Sequence, residues 1–132
     1  MQNEGDESRK YDLEERLIDF AVRIIKLAET LRNTSAGNHI ASQLVRSGTS
    51  PASNYGEAQS AESRNDFIHK IKIVLKELRE SKVWLKIIQR TNRAKSGGEI
   101  ESLITECDEL ISIFVTSVKT AEKNKLRKSK GI

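Results

Sequence analysis

The stretch RSGTSPASNYGEAQSAESRNDF, residues 46–67, decides the fold. It holds the only proline of the chain and two of its seven glycines, is rich in serine and has almost no large apolar side chain. Segments with clear helical periodicity flank it. Read as a loop, it leaves three helices and an open core. Read as a helix, it supplies the fourth wall of a bundle.

The flanking periodicity favours the helix. Leu13, Leu17, Phe20, Ile24, Leu27 and Leu31 recur at spacings of three and four, one helical stripe over residues 12–33. Phe67, Ile71, Val74, Leu78, Ser81, Leu85 and Ile88 form a heptad-like seam over 66–93. Ile100, Leu103, Cys107, Leu110, Phe114, Val118 and Ala121 repeat the pattern over 99–121. NTSAGN at 33–38 and KSGG at 95–98 read as turns. Three long amphipathic helices need a fourth to close a core of this size. In a helix over 38–63, Leu44, Gly48, Pro51, Tyr55 and Ala58 share one face, with Ala41, Val45 and Ala52 beside it. Small residues there let a neighbouring backbone approach closely. Pro51 removes one intrahelical hydrogen bond, so a kink or a restart capped by Ser50 is expected. The predicted fold is all-α, an up-down-up-down four-helix bundle with its second helix kinked near Pro51. Residues 1–11 read as a flexible N-terminal segment, 12–122 as the bundle and 123–132 as a basic tail.

Composition narrows the function classes. The chain has 132 residues, 36% hydrophobic, 32% charged and 5% aromatic, which suits one domain with an aliphatic core. A single cysteine, Cys107, allows no internal disulfide and points to a reducing compartment. The N-terminus is too acidic and polar for a signal peptide, and no apolar run approaches a membrane span. A cytoplasmic protein without membrane contact is expected. The net charge of +4 is uneven. Residues 119–132 carry six basic side chains against Glu122, a net of +5, which leaves −1 for the rest of the chain.

The run RSGTSPASNYGEAQSAESRNDFIHKIKIVLKELRESKVWL resembles the four-helix bundle proteins of the 23S rRNA intervening-sequence family. The resemblance rests on Arg46, Ser47, Ser50, Asn54 and Glu57, on Ser63, Arg64, Asp66, Phe67 and Ile68, and on Leu75, Lys76, Glu77, Arg79, Glu80, Trp84 and Leu85. It implies an up-down bundle, a homo-oligomer with pentamers favoured, and no enzymatic activity. The family takes its name from where some of its genes sit, inside insertions in 23S rRNA genes. That suggests an association with RNA and does not supply a mechanism.

Several constellations are candidates for a site. Ser47, Ser50, Asn54 and Glu57 form a polar stripe at helical spacing. It reads either as a hydrogen-bonded network between helices or as a pocket. On the third helix, Arg64, Lys72, Lys76, Arg79, Lys82, Lys86, Arg90 and Arg93 fall within an arc of roughly 120° at about 100° per residue. Segment 64–95 has ten basic and three acidic residues, whereas 96–118 has five acidic and no basic ones. The arc is either paired with those acids or free to bind phosphates, helped by Lys123, Lys125, Arg127, Lys128 and Lys130. Ile73, Trp84 and Ile87 make a second apolar strip on the same helix, which reads as a subunit interface. Enzymatic signals are weak. His39 stands alone, Asp66 and His69 do not make a di-metal set, and Cys107 sits on a core stripe. No cofactor or metal is expected. Two readings follow: a homo-oligomer that binds structured RNA, possibly rRNA, through phosphate contacts, or an oligomeric scaffold for a protein partner in which the charges serve assembly.

Overall fold

Residues 46–59 of the deciding stretch are helical throughout. The computed structural model describes the backbone of residues 2–91, 94 and 98–129, and the side chains of 13–91, 94 and 98–127. These form four helices: α1 Gln2–Glu29, α2 Ser35–Gln59, α3 Arg64–Thr91 and α4 Glu99–Ser129. Helical backbone therefore runs into both terminal segments that composition sets apart. The fold is the all-α four-helix bundle. α2 packs on α1 and α3, and α4 on α3 and α1, so α1 and α3 stand on opposite corners.

α2 begins earlier than its composition suggests. Thr34 is the N-cap, in extended conformation, and its hydroxyl accepts a hydrogen bond from the Gly37 amide at 3.0 Å. Gly37 must lack a side chain, because a Cβ there would lie 1.9 Å from the Leu31 carbonyl oxygen. The helix then passes Pro51 without a break. Side chains take up carbonyls in the turns around the proline. Ser47 donates to the Leu44 carbonyl, Thr49 to that of Val45, and Ser53 and Asn54 to that of Ser50. No second N-cap forms at Ser50, whose hydroxyl instead accepts from Asn54 Nδ2 at 2.9 Å.

The core is aliphatic, with Phe20, Phe114 and Tyr55 as its aromatic members. Leu17, Ile24, Leu44, Ile71, Leu78, Leu85, Ile88, Leu103 and Leu110 are fully buried, each contributing about 1.5–3 kcal/mol. Gly48 sets the approach of α2 to α1: a Cβ there would meet the buried Ile24 side chain at 2.7 Å. α1 thus lies close against α2 and touches α4 more sparsely.

Candidate functional site

The polar stripe of α2 does not act as one network. Ser47 is buried and accepts a hydrogen bond from Ser81 of α3 at 3.0 Å. Ser50 and Asn54 bond to each other, one turn apart. Glu57 is exposed, with 60% of its side chain in water, and meets only Lys70 at 3.4 Å. Ser47 makes a buried bond to α3 and Glu57 an exposed one, whereas Asn54 bonds within α2. The two serines satisfy each other where the backbones come close. Glu57, near the helix end, faces past its neighbour into solvent.

Arg46 is the stronger tie between α2 and α3. Its guanidinium reaches Glu77 at 3.1 Å and also contacts Glu80. Glu77 is a buried carboxylate, so the half-exposed arginine neutralises a charge that burial would otherwise penalise. Glu80 also accepts from the indole nitrogen of Trp84 at 3.1 Å, and the Trp84 ring meets His39 edge-on at 6.0 Å. Trp84 and Ile87 are half-buried against the core, and Ile73 is half-buried beside them.

The basic arc divides. Lys72 pairs with Glu122 of α4, and Lys82 with Asp108, each at 2.6 Å. Arg64, Lys76, Arg79, Lys86 and Arg90 form no ion pair or side-chain hydrogen bond with another described residue. Arg93 and Lys130 lie outside the described residues, as does the side chain of Lys128. Lys123, Lys125 and Arg127 are exposed along the end of α4. Arg64 stands at the mouth of an open cleft that Phe67, Thr120 and Asn124 also line.

The acids of α4 explain the division, because α1 takes many of them. Arg16 grips Glu106 through two hydrogen bonds, of 2.7 and 3.1 Å. Arg23 reaches Glu99 and the Ser102 hydroxyl, both at 2.8 Å. Glu101 accepts from Gln89 of α3 at 3.4 Å. α3 therefore keeps more cations than α4 can neutralise. The sequence balance of α3 against α4 omitted that Glu99 and Glu106 face α1, where Arg23 and Arg16 take them.

A second feature escaped that reading. Ile18, Val22 and Ile25 are 41–42% exposed on the outward face of α1. Their spacings of four and three were visible but overshadowed by the core stripe on the same helix.

Cys107 is not a nucleophile in the folded chain. It is fully buried, its thiol donates to the Leu78 carbonyl at 3.2 Å, and burial, helped by the charge of Asp108, pushes its pKa up to about 12. Among the described residues, no three of His, Cys, Asp and Glu gather as a metal would require. No described helix is long and apolar enough to cross a membrane.

The sequence profile of the 23S rRNA-intervening sequence proteins matches residues 9–116, most of the chain. The chain belongs to the 23S rRNA-intervening sequence protein family. A crystal structure supports the placement. It is of a protein of unknown function from the S23 ribosomal protein family of Bacteroides thetaiotaomicron, 34% identical to this chain, with a TM-score of 0.74. The similarity covers 81% of this chain and 98% of that one. No curated protein matches. Of the residues that carried the resemblance, Ser47, Ile68, Leu75 and Leu85 are buried, Arg46, Glu77, Glu80 and Trp84 meet between α2 and α3, and Glu57, Arg64, Lys76 and Arg79 are exposed.

Proposed function

We propose that this chain is a non-enzymatic, self-associating cytoplasmic bundle that binds the phosphate backbone of structured RNA. The observation that carries this reading is the set of α3 cations without partners among the described residues: Arg64, Lys76, Arg79, Lys86 and Arg90. From Lys76 to Arg90 they follow one helix for about 21 Å, at 1.5 Å per residue. A rigid row of this length suits the backbone of a folded nucleic acid, and neutralising phosphates releases counterions. No aromatic side chain is interleaved with the row, so stacking on unpaired bases is not part of the reading. Lys123, Lys125 and Arg127 add cations near the end of the bundle. Self-association through Ile73, Trp84 and Ile87 would repeat the row around an assembly and raise avidity.

Fluorescence anisotropy with a labelled rRNA stem-loop at low salt tests it. Binding is expected, with the unfolded single strand of the same sequence and heparin competing poorly. No preference for the stem-loop over heparin would favour the other reading, a scaffold whose charges serve assembly. The bridges Lys72–Glu122 and Lys82–Asp108 are the observations on that side.

A further inference from the structure

The core thins at the end of the bundle where α2 turns into α3. The buried stripe of α2 closes with Ala58 and that of α4 with Ala121, where earlier turns carry Leu44, Leu103 and Leu110. These small side chains, with Ala61 and Ser117, leave room. An open cleft of about 650 Å³ lies between the start of α3 and the later turns of α4. A smaller hollow of about 460 Å³ shares Ala61, Phe67 and Ser117 with it.

The floor is apolar and the rim is polar. Leu13, Ala58 and Ile71 wall the inner hollow, together with Tyr55 and Phe114, whose rings meet edge-on at 5.6 Å. Burial pushes the pKa of Tyr55 up, so its phenol stays neutral there. At the rim, Thr120 and Asn124 of α4 are exposed, and Arg64 is the cation. Arg64 opens α3, where the helix dipole is also positive. Neither Glu62, on the same rim, nor Asp66, in the first turn of α3, pairs with it.

We infer that this cleft binds a carboxylate with an apolar tail of medium length, the tail over Phe67 toward Phe114 and the head group on Arg64. A concave site of a few hundred Å³, apolar with a few polar groups at fixed points, is the usual form of a small-molecule site. The planar guanidinium can take both oxygens of a carboxylate, and Thr120 and Asn124 offer further donors beside it. From Arg64 to Ile71 the floor runs about 10 Å along α3, at 1.5 Å per residue, which gives the tail its length. The inference does not depend on the RNA reading. Arg64 cannot hold a carboxylate and a phosphate at once, so a bound carboxylate takes Arg64 and leaves Lys76, Arg79, Lys86 and Arg90 to the RNA.

Isothermal titration of the full chain with decanoate, decylamine and decanol tests the site. Wild type is expected to take up decanoate, with decylamine bound about tenfold more weakly or worse, because its ammonium meets Arg64. Arg64→Gln should weaken decanoate by about tenfold or more and leave decanol unchanged. Ser117→Leu fills the space that the two hollows share and should weaken decanoate and decanol together. The Ser117 hydroxyl donates to the Ile113 carbonyl of its own helix, so that variant loses no bond between helices. Arg64 is exposed and unpaired among the described residues, so Arg64→Gln keeps the fold and decides the head group whatever Ser117→Leu does to the melting temperature. Decanoate bound equally well by Arg64→Gln overturns the inference. Binding unchanged in a folded Ser117→Leu places the ligand elsewhere, as on the exposed strip of α1, and overturns it too. A wild type that takes up no decanoate at millimolar concentration refutes it outright.

Discussion

α4 has two flanks, and they are held differently. Toward α1 the seam is sparse, and long arginines bridge it: Arg16 to Glu106 and Arg23 to Glu99. Toward α3 the helices pack closely, Lys72 and Lys82 find acids, and five further cations of α3 have no partner among the described residues. On the first flank charge serves the fold. On the second it exceeds what the fold uses, and the excess points outward. A count of charges does not separate the two cases. What separates them is whether a carboxylate lies within reach.

Reversing charges on each flank should give opposite outcomes. The triple variant Arg79→Glu, Lys86→Glu, Arg90→Glu is expected to lower stem-loop affinity by 100-fold or more at low salt, a figure of about 3 kcal/mol. Its melting temperature should barely move, since Arg79 and Arg90 are exposed, Lys86 is half-buried, and none of them has a partner among the described residues to lose. The double variant Arg16→Glu, Arg23→Glu should do the reverse. It loses bidentate and part-buried bonds, costs about 2 kcal/mol in chemical denaturation, and keeps most of the RNA affinity. If both variants lost RNA binding equally, the distinction between the flanks would fail.

Gly48 lets α1 settle against α2. Gly48→Ala gains helix propensity but forces Ile24, a fully buried branched side chain, to move. A net loss of about 1 kcal/mol is expected, read by denaturant midpoint. A gain in stability would show that the α1–α2 contact is slack.

The smallest effect belongs to Glu57. With its side chain largely in water and only Lys70 nearby, Glu57→Ala should change stability by less than about 0.5 kcal/mol. A loss of several times that would mean the carboxylate is buried in a way this geometry does not show.

The fold was legible because apolar periodicity survives any detail of packing. The stripes of α1, α3 and α4 name their core residues directly, and the small residues of α2 still kept helical spacing around Gly48 and Tyr55. The start of α2 was less legible. Thr34 and Gly37 carry a capping signal, but within NTSAGN the same residues read as a turn. The arc of α3 was also visible on a helical wheel. Which of its members lack a partner among the described residues was not, because that depends on the rotation of α4, which turns Glu106 and Glu99 toward Arg16 and Arg23, residues 41 and more positions upstream of the arc. Glu57 and Asn54 share a stripe in sequence, yet one reaches solvent and the other folds back on Ser50. Spacing fixes the face a residue occupies. It does not fix the partner found there.

The salt dependence of stem-loop binding tests the central claim most directly. Five phosphate contacts give a slope of about −4.5 in log affinity against log salt, so a fourfold rise in salt should weaken binding roughly 500-fold. The triple variant of α3 should retain a slope of about −2 or shallower. An unchanged slope in that variant, or a wild-type affinity indifferent to salt, would contradict a phosphate-binding role for the free cations of α3.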